Sequence, residues 1–135
     1  MILPPAPDLG MLFVRTDYAD ELAWRAAFDA TTASGRSGEA LEPVESPDLD
    51  GLDPEALVRL ERGDYLGELA VADARTMRDH TVLFVDLDEL GGHVGRTFRA
   101  IPGEVWSIVA NLSLGNMDFS EFADNADGDG VFRGF

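Results

Sequence analysis

Residues 68–87, ELAVADARTMRDHTVLFVDL, decide the fold. Two largely apolar runs, Glu68 to Ala72 and Thr81 to Leu87, have the length of strands. Only the eight residues 73–80 separate them. A parallel neighbour needs a crossover of roughly a dozen residues or more, so this spacing predicts a mixed sheet.

Working outward, Met11 to Thr16, MLFVRT, reads as another buried strand after a proline-rich leader. Asp17 is placed as the N-cap of a helix running to about Ala30, with Trp24, Ala27, Phe28 and Thr31 at helical spacing. From Ser34 to Asp53 periodicity disappears, and six carboxylates face Arg36 alone. This predicts a flexible acidic loop over about 34–53. Asp53, Pro54 and Gly63 bracket a short second helix.

Downstream, the turn GGHVG at 91–95 leads into RTFRAI, 96–101, which alternates as a half-buried strand. Pro102 and Glu104 open a helix whose Val105, Ile108, Val109 and Leu112 share one face, with Gly115 as its stop. Asp118 and Glu121 form a capping box for a last helix carrying Phe119, Phe122, Ala123 and Ala126 on one face. The C-terminal residues Val131, Phe132 and Phe135 add enough apolar surface to tie the end of the chain to the core. The expected architecture is α/β: one domain over residues 1–135, with helices packed on a small mixed sheet of about four strands.

Composition narrows the function. With 135 residues, 45% of them hydrophobic, the chain suits one sizeable core. A formal charge of −16 opposes binding to nucleic acid or to an anionic membrane surface and favours a basic partner. All ten cationic residues are arginine, so lysine nucleophiles and Schiff bases are excluded. Cysteine is absent, which removes disulfides, thiolate metal sites and thiol catalysis. The start lacks a basic, apolar leader and no window has the length of a membrane span, so a cytoplasmic location is expected.

Two groups of residues resemble metal ligands. Asp17, Asp73, Asp86 and Asp88 stand at or just beyond the ends of expected strands, where a parallel sheet would gather them at one rim able to hold magnesium. An aspartate in that place also simply caps the next helix. Asn125, Asp127, Asp129 and Gly130 spell NxDxDG, the first half of a calcium loop, without the bidentate glutamate that closes it. A turn folding the aromatic tail back explains the same residues. His80 and His93 are the only imidazoles, and no serine occupies a GxSxG elbow, so no catalytic residue is assigned.

The run NLSLGNMDFSEFADNADGDGVFRGF, 111–135, together with VLFVDLDE and FRAIPGEVW upstream, resembles a family of small bacterial proteins of unknown function. The resemblance implies a folded domain and no activity. VLFVDLDEL, 82–90, is also similar to the strand and DxD loop of haloacid-dehalogenase-type phosphotransferases. It departs from them in its central position, in Glu89 and Leu90 following the second aspartate, and in the lack of any lysine. Receiver-type acidic pockets fail on the same missing lysine.

Two functions are expected. The first is an acidic interaction module, inhibitor-like or immunity-like, whose negative field imitates a nucleic-acid backbone toward a basic protein. It needs no cofactor. The alternative is a magnesium- or manganese-dependent enzyme acting on an anionic or phosphorylated substrate through Asp17, Asp73, Asp86 and Asp88.

Overall fold

A computed structural model describes residues 1–135. In chain order its elements are β1 (Ile2–Leu3), β2 (Met11–Arg15), α1 (Glu21–Thr32), α2 (Ser37–Ala40), β3 (Leu41–Val44), α3 (Pro54–Val58) and β4 (Glu61–Arg62). There follow β5 (Glu68–Ala72), α4 (Ala74–Asp79), β6 (Val82–Asp86), β7 (Thr97–Ala100), α5 (Val105–Ser113), α6 (Phe119–Ala123) and β8 (Val131–Phe132).

Six strands form the main sheet in the order β3-β2-β5-β6-β7-β8, and β1 pairs separately with β4. β3 and β5 both run parallel to β2, β6 is antiparallel to β5 and β7, and β8 is parallel to β7. The short connection at 73–80 thus does what its length requires: α4 fits inside it, yet β6 returns against β5.

Alternating strand residues divide the interior into two cores. Met11, Phe13, Ala70, Ala72, Phe84, Phe98 and Phe132 face α1, α2, α5 and α6. Leu12, Val14, Leu69, Val71, Leu83 and Val85 face Leu3 of the leader, Leu49 and Leu57. On the helical face the phenylalanines form a chain: Phe84 stacks on Phe98 at 5.1 Å, Phe98 meets Phe119 at 4.9 Å, and Phe122 meets Phe132 edge-on at 5.3 Å. Contacts of this geometry add roughly 0.5–1.5 kcal/mol each beyond simple burial.

The sheet has six strands where about four are expected, and both additions are edges. β3, LEPV, lies within the segment 34–53 read as a flexible acidic loop. That segment also contains α2 and a 3₁₀ turn at Pro47–Leu49, so the loop is largely ordered. Periodicity could not reveal it, because an edge strand of four residues tolerates Pro43 and presents two exposed side chains. β8 is two residues long, too short for any pattern, and is held by pairing with Arg99 and Ala100. Other boundaries also move. The N-cap of α1 is Asp20, while Asp17 accepts from the Ala19 amide in the turn before it. α3 ends at Val58, short of Gly63, because β4 follows at once.

Arg15 fastens the helical face to the sheet. It is buried at the end of β2, and its Nη1 donates to Glu21 at 2.9 Å and to Glu45 at 2.8 Å. Its guanidinium lies 4.4 Å from the Tyr18 ring centroid and 5.1 Å from that of Trp24. Two carboxylates and two aromatic faces together offset the desolvation of one cation.

Candidate functional site: two acidic clefts

β2 leads to β3 through α1 and α2 on one face of the sheet, and β3 leads to β5 through α3 on the other. Since β3 and β5 flank β2, the carboxyl ends of β2 and β5 form a topological switch point, the usual ligand position in such sheets. A cleft of about 500 Å³ lies there, lined by Thr16, Asp17, Tyr18, Asp50, Asp53 and Asp73 among others.

Three of its four carboxylates already have structural work. Asp17 accepts from the Ala19 amide at 2.9 Å, and Asp53 accepts from the Ala56 amide at 2.9 Å as the cap of α3. Asp73 forms the capping box of α4 with Thr76 and an ion pair with Arg99. Burial alone would raise the Asp73 carboxyl, but Arg99 holds it below the usual range. A carboxylate this well satisfied is a poor ligand for anything else.

The second cleft, of about 670 Å³, opens at the opposite end of the sheet. Its floor is the cross-strand pair Glu68 and Asp86, directly opposite in the β5–β6 register. Side chains so placed have Cβ atoms about 4.5–5.5 Å apart, and like charges there repel. Asp8 and Leu9 of the leader, Tyr65, Asp88, His93, Ser113 and Asp118 complete the lining. The leader is held against α5 by the Ser113 hydroxyl, which donates to the Gly10 carbonyl at 3.3 Å.

Here the carboxylates are poorly satisfied. Asp86 is only 5% exposed and has a single hydrogen bond to its side chain, from the Asp88 amide to Oδ1 at 2.9 Å. Glu68 has no hydrogen-bond donor and no ion-pair partner within the chain. Burial, reinforced by Asp86 and Asp88, pushes the Glu68 carboxyl up to about 7. Burial raises Asp86 as well, against the opposing pull of the Asp88 amide. At the rim, partial burial and then Asp88 raise the Tyr65 hydroxyl. Perturbed acids gathered in a cleft make it a candidate functional site.

A family model described as a domain of unknown function (DUF6924) matches residues 10–135. The chain belongs to that family. No curated protein matches it. The match takes in the whole floor of both clefts in this DUF6924 chain and begins just after Asp8 and Leu9, which border the second cleft.

The four strand-end aspartates do not meet in the DUF6924 fold. Asp17 and Asp73 line the first cleft, whereas the reversed direction of β6 carries Asp86 and Asp88 to the second. No three His, Asp or Glu side chains stand where they could hold a metal ion together. Asp127 and Asp129 of the NxDxDG turn both pair with Arg133, at 2.7 Å each, and Asn125 donates to the Glu121 carbonyl at 2.7 Å. Arg133 and the Val131 amide hold the Asp129 carboxyl down near 2. Thus the turn is closed by a cation of the chain itself and leads directly into β8.

Glu68 was not among the residues the sequence singled out. Its signal is positional: a carboxylate opening one strand comes to face a carboxylate closing the next once the two are known to be antiparallel. The short connection at 73–80 implies that pairing, but only the register identifies the partner as Asp86.

Proposed function

We propose that this protein is an acidic interaction module that binds a basic partner protein through the Glu68–Asp86 cleft. The observation that carries this reading is the imbalance of charge there. Asp8, Glu68, Asp86, Asp88 and Asp118 line one concavity, with His93 as the sole basic residue among them. Such a field speeds the encounter with a cationic surface, and two carboxylates whose free oxygens open into the cleft gain most from a partner that supplies donors and positive charge. The whole-chain charge of −16 acts in the same direction at longer range. An inhibitor or immunity-like role is the kind of biology this electrostatics suits, in a cytoplasmic setting. No helix is long and apolar enough to cross a membrane.

The test is capture on immobilised protein from a native lysate, with a Glu68→Gln, Asp86→Asn, Asp88→Asn variant run in parallel. A basic protein retained at low salt, released as salt rises and lost with the triple variant is the expected result. Equal retention by the two baits would place the interaction elsewhere on the surface.

The magnesium- or manganese-dependent enzyme is the alternative, and it rests on four aspartates that stand at two ends of the sheet. Millimolar magnesium or manganese is expected to leave the thermal unfolding midpoint unchanged, since only an ion bound to the folded state raises it. A rise of several degrees would reverse the order of the two readings.

A further inference from the structure

We propose that the group accepted by the Glu68–Asp86 cleft is an arginine side chain of the partner, its guanidinium bridging the two carboxylates while apolar residues of the same partner segment rest on Leu9, Tyr65, Leu90 and Leu114. This deepens the function proposed above and rests on it.

The first ground is the state of Asp86. It is nine-tenths buried, lines the cleft, and leaves Oδ2 without a donor from the chain. Glu68, facing it across the strands, has neither oxygen bonded. These free oxygens open into the cleft, so a ligand that brings donors can reach both of them.

The second ground is an arrangement already present in the same molecule. Arg15 bridges Glu21 and Glu45 beneath the Tyr18 ring, so this fold holds one guanidinium between two carboxylates from different elements, with an aromatic face over it. Glu68 and Asp86 on adjacent strands, with Tyr65 at the rim, repeat that set of groups. A planar fork of five donors can serve two carboxylates on facing strand positions, whereas an ammonium is a single point of charge.

The third ground is the surface around the opening. Leu9 is 63% exposed and Tyr65 73%, and both line the cleft. Leu90, 95% exposed, sits between Asp88 and Gly91, and Leu114, 57% exposed, between Ser113 and Gly115, all four of these neighbours being lining residues. Leu9 also holds a left-handed backbone, φ 55°, a conformation unfavourable for leucine. Apolar and aromatic side chains around a polar centre suit a protein partner better than a free small cation, which would leave them untouched.

The test uses the full chain, labelled with nitrogen-15, titrated with N-acetylarginine amide and, separately, with the neutral citrulline analogue. The expected result is a saturable shift of the Gly67, Glu68, Asp86 and Asp88 amides with the arginine probe, with affinity in the millimolar range typical of one buried side chain. The citrulline analogue should bind at least about tenfold more weakly, the loss of one good charge-assisted contact. Glu68→Gln with Asp86→Asn should weaken the arginine probe by the same factor without lowering the unfolding midpoint, because both changes keep shape and remove repulsion. Shifts confined to the Asp17–Asp73 cleft, the absence of saturation, or equal binding of N-acetyllysine amide would overturn the proposal. Salt-dependent capture of a basic protein that survives in the double variant would still leave the broader interaction reading standing.

Discussion

Glu68→Gln is expected to stabilise the folded chain at pH 8 and to do so much less at pH 5. In the folded state the Glu68 carboxyl titrates at about 7, against an ordinary value of 4.5. Between those values the folded chain binds more protons than the unfolded one, so stability falls as pH rises through the window. Well below 4.5 both states are protonated and nothing is lost; well above 7 the full difference is present. At about 1.4 kcal/mol per pH unit the limit is about 3 kcal/mol, and partial exposure reduces the expected gain from glutamine to about 2 kcal/mol. Asp86, raised in the same direction, adds to the slope. Urea unfolding of both proteins at the two pH values measures this. An equal difference at pH 5 and pH 8 would mean that the cost of ionising Glu68, set first by burial and then by Asp86 and Asp88, is not the cause. The same unfavourable ionisation makes the site receptive, since a bound cation stabilises the charged carboxylates.

Phe122→Ala is expected to cost about 3–5 kcal/mol, enough to endanger the fold of a domain this size. Phe122 is fully buried and contacts three other rings: Phe98 at 6.1 Å, Phe132 at 5.3 Å and Phe135 at 5.7 Å. It links α6 to β7 on one side and to the last strand on the other. Removing it leaves a cavity where α6, β7 and the last strand meet, with Phe119 against Phe98 as the remaining ring contact between α6 and β7. β8 has only two residues of pairing with β7. Hydrogen exchange should therefore accelerate at Val131 and Phe132 in the variant even where the remaining sheet stays protected. A loss below about 1.5 kcal/mol with unchanged exchange would mean that the terminal segment lies outside the cooperative core.

The sequence made the central strands and the amphipathic helices legible because their signals are local and repeated. Val105, Ile108 and Val109 recur on one helical face, and all three are buried in α5 as expected. Asp118 and Glu121 form the capping box their spacing implies. β2, β5, β6 and β7 fall within a residue or two of the runs that announced them. The edge strands were not legible. β3 contains a proline and exposes half its side chains, and β8 is a pair of residues whose strand character exists only against Arg99 and Ala100.

The candidate site was legible only in part, for a related reason. Asp86 and Asp88 stood out as strand-end carboxylates, yet they were grouped with Asp17 and Asp73, which a fully parallel sheet would have required. Strand direction separates the pairs, and Glu68 enters the site only through register. Composition, charge, strand and helix periodicity and the capping signals are properties of neighbouring residues, so the chain by itself determined an acidic α/β domain with its end folded into the core. Which carboxylates meet depends on contacts between residues far apart in sequence. The tertiary structure alone decided that Asp73 pairs with Arg99, that Asp127 and Asp129 close on Arg133, and that Glu68 and Asp86 face each other without an ion pair.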